Sequence, residues 1–395
     1  MTFLKRLQFF IFLLFISTGT VFAQATDDTH SVTLLDGYPL DLAVRGQYAY
    51  VTVVGIDTSS GNQSGLRVID ISDPANPVQA GLLDFTTNGA YGQDIDISGN
   101  RAYIAARMGG VQIVDISDPT NPTFLGYVDT TTLESHPTAQ GVKVINNIAY
   151  ITNYFDLIIA DVSDPANPHI LSIYDTPHVA QDLDVRGGVA YVGDTAAGVQ
   201  VISVGNPSNP QLLGVYDTPG VAVDADLRGN RLYVSDGFGG MHILNIHNPV
   251  NPVLLGTYDN LPIGSVRNTT ISCGTAFLAA HYGDLITVDV RSPANPQYIR
   301  NYEHSGPLSV VVNVKVVGDY AFIAALDGNF RVFDISDSLN CNLMPMPIGG
   351  AIPLLATQKA LEGTGLSDEM VDPKMIKNLD ADLRKQGKVM MITPR

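Results

Sequence analysis

One eight-residue phrase returns along most of the chain and sets its organisation. It first appears at residues 70–77 as Asp-Ile-Ser-Asp-Pro-Ala-Asn-Pro, directly after an apolar run. A repeat of roughly 45 residues built from short strand-like runs is typical of β-propeller blades, which bury their faces by stacking on one another. The chain is therefore predicted to be all-β and to form a seven-bladed β-propeller. The first residues of the seven copies are Asp70, Asp115, Asp161, Ser203, Asn245, Asp289 and Asp334.

Each repeat carries the pattern of a four-stranded antiparallel blade. Two alternating runs flank a two-residue turn, as at Gly99-Asn100, which predicts a β-hairpin. A third strand leads into the marker phrase, whose Asp, Ser and Pro residues favour a turn. A fourth strand follows every marker except the seventh. The second strand of each repeat opens on an aromatic residue, and these residues are Tyr50, Tyr103, Tyr150, Tyr191, Tyr233, Phe277 and Phe322.

The strand missing after the seventh marker is expected at the other end of the chain. Residues 31–36, Ser-Val-Thr-Leu-Leu-Asp, resemble the fourth strands of other repeats, such as residues 124–129. We predict that this N-terminal strand completes the seventh blade, because closing the ring removes an exposed sheet edge. The predicted propeller spans residues 31–342.

The two ends of the chain differ in composition from the repeats. Residues 1–23 combine Lys5 and Arg6, an apolar run and a small-residue cleavage pattern, which predicts a signal peptide followed by a lead at 24–30. No later segment has the length of apolar sequence that a membrane-spanning helix needs. Residues 343–353 are predicted to be a Pro/Gly linker, and residues 354–395 a tail with one short amphipathic helix. A secreted, extracellular or cell-surface protein is predicted, with the periplasm as an alternative.

Charge and cysteine content narrow the partners and the environment. The formal net charge is -17, and most of the acidic residues lie in the repeats. Such a surface repels phosphate, so nucleic acid is excluded as a partner, while divalent cations or basic groups are favoured. Solubility is the simpler explanation of the same charge. In an oxidising compartment, Cys273 and Cys341 either form a disulfide or remain two buried thiols.

A set of polar residues is expected close to the propeller axis. They stand nine positions before each aromatic residue, at the head of the innermost strand: Asp41, Asp94, Gly141, Asp182, Asp224, Asn268 and Asn313. Blades four and five add Asp194 and Asp236, three positions after the aromatic. Together Asp182, Asp194, Asp224 and Asp236 suit a calcium ion, since crowded carboxylates need a cation or protons. The alternative is structural, with the carboxylates capping nearby backbone and Lys143 and Lys315 neutralising their neighbours.

A ligand-binding face is predicted where the loops between the second and third strands emerge. Scattered histidines do not make a zinc site by spacing alone, and surface histidines are the simpler interpretation. The chain shows no G-x-S-x-G elbow, no H-E-x-x-H helix and no phosphate-binding loop. The residues assigned to this face are Asp41, Asp94, Arg107, His136, Tyr154, His178, His281 and His304.

The phrase from Gly65 to Pro74, Gly-Leu-Arg-Val-Ile-Asp-Ile-Ser-Asp-Pro, resembles the LVIVD-repeat family of secreted bacterial β-propellers. The resemblance covers about residues 31–341 and weakens in blades four to six, as at Ser203, Asn245 and Arg291. It implies export, an extracellular or surface location, and a binding or scaffolding role. The family carries no agreed catalytic residues that could be transferred to this chain.

Two functions of different classes remain open from the sequence. The first is a non-catalytic binding or scaffold module for a protein or carbohydrate partner outside the cell, because the repeats contain no strongly deviating blade. The second is a metal-dependent hydrolase or lyase that uses calcium at the acidic cluster of blades four and five. Calcium-dependent stabilisation that is lost in Asp182→Asn and Asp224→Asn would favour the second.

Overall fold

The computed structural model describes residues 30–33, 37–55, 64–85, 90–130, 138–260, 264–280, 284–303 and 310–339. These residues form seven antiparallel sheets. The strands are β1 (His30–Thr33), β2 (Gly37–Arg45), β3 (Tyr48–Gly55), β4 (Gly65–Asp70), β5 (Val78–Asp84), β6 (Asp94–Ser98), β7 (Arg101–Ala105), β8 (Val111–Asp115), β9 (Thr123–Val128), β10 (Ala139–Ile145), β11 (Ile148–Asp161), β12 (His169–Ala180), β13 (Leu183–Arg186), β14 (Val189–Gly193), β15 (Val199–Ser203), β16 (Gln211–Tyr216), β17 (Asp224–Arg228), β18 (Arg231–Ser235), β19 (Met241–Asn245), β20 (Val253–Tyr258), β21 (Val266–Ser272), β22 (Thr275–Ala280), β23 (Asp284–Asp289), β24 (Gln297–Glu303), β25 (Val311–Val317), β26 (Tyr320–Ala325) and β27 (Asn329–Asp334).

Each sheet is one blade, and the blades follow the chain in order. Blades one to six are β2–β5, β6–β9, β10–β12, β13–β16, β17–β20 and β21–β24, and the seventh has the order β1-β27-β26-β25. In that blade His30 pairs with Val332 and Thr33 with Asn329. The predicted seven-bladed β-propeller and its closure by the N-terminal strand are therefore confirmed. A short 3-10 turn, Ser336–Ser338, follows β27.

Blade three departs from the predicted four separate strands, because β11 occupies the second and third positions. Its first part, up to Asn153, pairs with β10, and its part from Tyr154 onward pairs with β12. The change of partner falls at Tyr154, whose φ is 57°. The loop that separates these two strands in other blades is thus reduced to a few residues here.

The hydrophobic core lies between neighbouring blades rather than within one. Tyr103 and Ile113 of blade two pack in one cluster with Val142 and Ile158 of blade three. The same kind of cluster recurs around the ring, and one joins Leu42 of blade one to residues of blade seven. Since every blade buries apolar residues on both faces, no blade is stable without its neighbours.

The marker phrase forms the predicted turn. The Asp115 carboxylate accepts a hydrogen bond from the backbone N–H of Ser117 at 2.8 Å, and the Asp161 carboxylate does the same for Ser163. The marker turn of blade three also packs on blade two, where Gly126 lies close to it. A Cβ added at Gly126 would lie 2.0 Å from the carbonyl oxygen of Pro165, so this position requires glycine.

The predicted signal peptide, linker and C-terminal helix lie outside the described residues. Within the described part of the chain, none of the helical segments has both the length and the apolarity required to cross a bilayer. Cys273, in the turn between β21 and β22, is disulfide-bonded. The sequence holds one other cysteine, Cys341, which, unlike Cys273, lies outside the described residues.

Candidate functional site

Equivalent loops of blades two to five share an unusual backbone conformation. In each, the fourth residue after the aromatic has a positive φ: Arg107 at 45°, Tyr154 at 57°, Thr195 at 42° and Gly237 at 57°. Only glycine adopts this region easily, and a β-branched residue such as Thr195 is an outlier there. Each of the four pairs with a residue at or shortly before the first strand of the following blade, and these partners are Ala139, Ala180, Ala222 and Val266.

The loops of blades two to four border a cavity of about 410 Å³, here named the mouth cavity. Three of the residues assigned to the binding face from sequence, Arg107, Tyr154 and His178, line it together. Strained backbone that is held by neighbouring structure is a frequent property of binding sites. The full lining is Arg107, Gln140, Tyr154, His178, Val179, Gln181, Thr195, Ala196 and Val221.

Side chains around the mouth cavity are already positioned by protein contacts. The Nδ1 atom of His178 lies 2.5 Å from the Thr195 hydroxyl oxygen. Arg107 donates from Nε to the Gln93 side-chain oxygen at 2.9 Å, and its guanidinium lies 4.9 Å from the centre of the Tyr91 ring. A ligand entering the cavity therefore meets groups that have little rotamer freedom left to lose.

The two loop carboxylates that the sequence placed in a calcium site hold their own loops. Both oxygens of Asp194 accept the backbone N–H of His178, at 3.2 and 3.1 Å. Burial raises the pKa of Asp194 to about 6, and this hydrogen bond opposes the shift. Asp236 accepts the Gly220 N–H at 2.8 Å and lies 3.4 Å from Nε2 of the buried His242. Both aspartates thus hold the segment of chain that enters their own blade.

The predicted axial residues lie along the innermost strands, where a central channel of about 360 Å³ runs beside them. Asp182 accepts the Leu183 N–H of its own blade at 2.6 Å, whereas the other axial aspartates contact the next blade. Asp41 accepts the Ile95 N–H at 2.9 Å, and Asp94 accepts the Val142 N–H at 2.6 Å. Asp224 does the same for Thr269 at 2.9 Å. These side chains join consecutive blades, which differs from the predicted capping of the preceding loop.

A second layer of carboxylates, two residues further along the same strands, repeats this connection. Asp96 accepts the Val144 N–H at 2.7 Å and Asp226 accepts the Ile271 N–H at 3.2 Å. Asp96 and Asp226 were not among the residues predicted from the sequence. The sequence could have indicated them, because residues i and i+2 of a strand point to the same side, and these aspartates stand two positions after an axial aspartate.

In blade three the axial position is Gly141, which has no side chain that could contact the next blade. A threonine on the neighbouring strand makes that contact instead. Thr152 on the neighbouring strand accepts the Gly141 N–H at 2.8 Å and donates to the Gln181 carbonyl of blade four at 2.8 Å. A Cβ at Gly141 would lie 2.9 Å from both Thr152 Oγ1 and Asp182 Oδ1. The Thr152 hydroxyl therefore makes the connection that an axial carboxylate makes elsewhere.

Burial and the charge of a lysine act in opposite directions on the crowded axial carboxylates. Burial, and then the charge of Asp94, raise the pKa of Asp41 well above its usual range. Burial likewise raises the pKa of Asp182, with further contributions from Asp94 and Asp224. Burial lowers the pKa of Lys315, but the four axial carboxylates outweigh it, so the pKa of this ammonium is raised. Lys315 is therefore the internal counter-ion of the channel.

The structure brings Asp182 and Asp224 together but gives Asp194 and Asp236 separate loop contacts. Within the described ranges, no group of three or more His, Cys, Asp or Glu side chains has an arrangement that would hold a metal ion. The calcium site stays a prediction. Of the predicted face, His136, His281 and His304 lie outside the described residues, and Asp41 and Asp94 belong to the axial set.

Three polar residues near the mouth were missed by the sequence analysis. Gln140, Gln181 and Arg267 each stand directly before an axial residue, and the first two line the mouth cavity. In blades three and six this position is a β-bulge, between Ala139 and Gly141 and between Val266 and Asn268. A bulge breaks the alternation of side chains along the strand, so simple alternation misplaces these residues.

Solved structures of low sequence identity share the fold. The β-propeller domain of Cps50 (Swd1) from Myceliophteria thermophila is 12% identical with a TM-score of 0.63, over 78% of this chain and 99% of that one. A chain of the mitotic checkpoint complex is 14% identical with a TM-score of 0.61, over 84% and 98%. A structure described as YCF48 bound to D1 peptide is 13% identical with a TM-score of 0.57, over 77% and 96%. At these identities the likeness concerns the fold alone.

No curated protein sequence matches the chain. The LVIVD repeat model matches six segments, residues 36–84, 89–130, 138–176, 178–218, 219–260 and 310–345. These segments cover most of the propeller and leave out the sixth blade, which has the same four-stranded sheet. The chain therefore belongs to the LVIVD-repeat family.

Proposed function

We propose that the protein is a non-catalytic binding or scaffold module that acts outside the cell, with the mouth cavity as its contact site. The partner is a protein or a carbohydrate. The predicted signal peptide supports export, and the disulfide at Cys273 is in keeping with an oxidising environment.

One observation carries this proposal. Three consecutive blades hold Arg107, Tyr154 and Thr195 in the same strained conformation, and all three side chains line one cavity. Turn formation alone does not require large side chains there, since Gly237 fills the equivalent position in blade five. Residues that keep a bulky side chain at a conformational cost indicate a contact role for the side chain.

Crosslinking at the cavity tests the proposal. Tyr154 is replaced by the photo-reactive p-azidophenylalanine, and the purified protein is irradiated with the surface fraction of the producing cells. We expect one dominant crosslinked protein, or binding to a defined member of a glycan array. The matched control carries the same group at Phe124, which is 51% exposed on the outer strand β9.

Equal products from positions 154 and 124 would contradict the assignment of the mouth cavity. Circular dichroism of both variants checks that each is folded. The absence of a crosslink at position 154 together with a silent glycan array would overturn the proposed function.

A further inference from the structure

The central channel carries an excess of negative charge. Six aspartates line it against three basic residues. Carboxylates that are crowded in this way repel one another, so a further cation in the channel would stabilise them. The aspartates are Asp94, Asp96, Asp182, Asp184, Asp224 and Asp226, and the basic residues are Lys143, Arg228 and Lys315.

The direct ion pairs of the channel belong to the second layer. The Lys143 ammonium lies 3.4 Å from the Asp96 carboxylate. The Arg228 guanidinium lies 3.7 Å from the Asp226 carboxylate. Lys315 acts on the axial carboxylates through its charge, but among the described residues it forms no direct ion pair with them. The axial set is therefore less well compensated than the second layer.

The channel opens to solvent at the end that carries the hairpin turns. Arg228 and Val317, the last residues of the innermost strands β17 and β25, line this end, and Val317 is 46% exposed. The second layer lies between this opening and the axial set, because each innermost strand runs from its axial residue toward its hairpin turn. With a volume of about 360 Å³, the channel can therefore admit a small molecule from this end.

Two buried oxygen atoms of the axial set lack a hydrogen-bond donor. Oδ1 of Asp41 and Oδ1 of Asn313 accept no hydrogen bond from a described residue, although the two side chains are only 2% and 8% exposed. Asp41 stands two residues before Ala43 on β2, and Asn313 stands two before Lys315 on β25. Ala43 and Lys315 line the channel, so the two oxygen-bearing side chains point toward it as well. Asp94 interacts with Asp41, but an ionised carboxylate brings a second acceptor rather than a donor. Because buried polar atoms are rarely left unpaired, these oxygens indicate a bound donor.

The two layers of carboxylates are separated by a distance that a short alkyl chain can span. Axial and second-layer residues stand two positions apart on a strand, which places them roughly 7 Å from each other. A chain of roughly four or five methylene groups between two nitrogen atoms covers the same distance. The channel is also lined by apolar residues, among them Val44, Ile97 and Val316, which can pack against methylene groups.

We propose that the central channel binds a linear aliphatic diamine, with one ammonium group at the axial set and the other at the second layer. An ammonium group brings three N–H donors and a positive charge, so it satisfies the unpaired oxygens and reduces the excess charge together. Water supplies donors without the charge. A metal ion supplies the charge, but within the described ranges no group of three or more His, Cys, Asp or Glu side chains is arranged to hold one. The channel is distinct from the mouth cavity, so this inference goes beyond the proposed function.

Isothermal titration calorimetry of the full protein with putrescine, a diamine with a chain of this length, tests the inference. We expect saturable binding that weakens as ionic strength rises, because the charges near the opening are partly screened. Butylamine has the same chain but a single ammonium group, so it should bind more weakly. Tetramethylammonium carries a positive charge without an N–H donor, and it should not compete with putrescine.

Two variants and a matched control locate the binding. Asp94→Asn removes one axial charge and should weaken putrescine binding by roughly tenfold or more, since hydrogen bonds to charged groups are the stronger ones. Asn313→Leu removes one of the unpaired oxygens and should also weaken binding. Asp118→Asn is the control, because it makes the same change in a marker turn, where the Asp118 carboxylate accepts the Thr120 N–H at 3.0 Å. Circular dichroism checks that each variant is folded.

Three results would overturn the inference. They are the absence of saturable binding, equal binding by the native protein and both channel variants, and competition by tetramethylammonium as strong as that by butylamine. Calcium binding that excludes putrescine and is lost in Asp94→Asn would assign the channel to a metal ion instead. The crosslinking experiment at position 154 uses a different site and a different partner, so its failure would leave the diamine site standing.

Discussion

Aspartate recurs with the same period in two regions of the propeller, the marker turns and the channel, and its environment differs completely between them. In the marker turns the pKa of Asp115 is lowered by hydrogen bonds from the backbone and side chain of Ser117. In the channel, burial raises the pKa of Asp182 and Asp226. The turn charge is solvated and stabilised by local N–H groups, whereas the channel charge is desolvated and crowded.

This difference shows that a repeated residue does not imply a repeated role. The turn aspartates act within a few residues of chain, so their contribution is local. In the channel, Asp41 and Asp94 join one blade to the next, and the charge of Lys315 acts on both, so their contributions are coupled. Substitutions in the two regions should therefore differ in size and in their dependence on pH.

The largest effect is expected from Lys315→Met. Removing the ammonium leaves the axial carboxylates without their counter-ion, which should lower the free energy of unfolding by about 3 kcal/mol at neutral pH. Urea denaturation measures the change. Lys143→Met is the control, because the Lys143 side chain is 36% exposed and its ion pair, at 3.4 Å, is with Asp96 of the second layer. Equal losses in the two variants would contradict the role of Lys315 as the shared counter-ion.

A smaller effect, with a distinct pH profile, is expected from Asp226→Asn. Burial, ahead of all other causes, raises the pKa of Asp226 from 3.8 to about 6. A carboxyl group whose pKa is higher in the folded state destabilises that state as pH rises, from the unfolded-state value up to the folded-state value. The native protein should therefore lose about 2 kcal/mol through this group between roughly pH 4 and pH 6.

The Asp226→Asn variant keeps an oxygen acceptor for the Ile271 N–H but has no group at this position that can ionise. Unfolding free energies measured at pH 4 and pH 7 should therefore differ less in the variant than in the native protein. If the difference in unfolding free energy between pH 4 and pH 7 were the same in the variant and the native protein, the pKa of Asp226 would not be raised by folding. The contrast with the marker turns would then be weaker.

The smallest effect is expected in the marker turn. Asp115→Ala removes the acceptor for the Ser117 N–H and should cost about 1 kcal/mol. Asp115→Asn should cost much less, since blade five uses Asn245 to accept the His247 N–H at 2.9 Å. Thermal unfolding ranks the two variants. A larger loss for Asn than for Ala would mean that charge, rather than the hydrogen bond, holds the turn.

Much of the fold could be predicted from the sequence, because the repeated phrase marks the same turn in every blade. The marker turns, the aromatic positions and the blade number follow from spacing, and the pairing of Val32 with Phe330 confirms the predicted closure. The merged strand of blade three could not be predicted. It depends on the conformation of Tyr154 and its bridge to Ala180, and neither leaves a pattern in composition or period.

The candidate site could be predicted only in part. Arg107, Tyr154 and His178 were assigned to one face because their loops leave the same end of the ring, and they do meet in one cavity. Gln140 was missed because a β-bulge precedes the axial residue of its blade. The calcium site of four aspartates stays a prediction. The hydrogen bonds of Asp194 and Asp236 to backbone N–H groups could not be predicted, because they depend on loop geometry.

The pairing of β1 with β27 has a consequence for how the molecule is made. Residue 30 leaves the ribosome among the first of the ring, and its partner at residue 332 leaves among the last. The earliest strand must wait until β27 has been made, so the ring cannot close before the seventh blade is synthesised, and contacts of such long range form slowly. A protein produced with β27 deleted would present two unsatisfied strand edges, and we would expect it to self-associate.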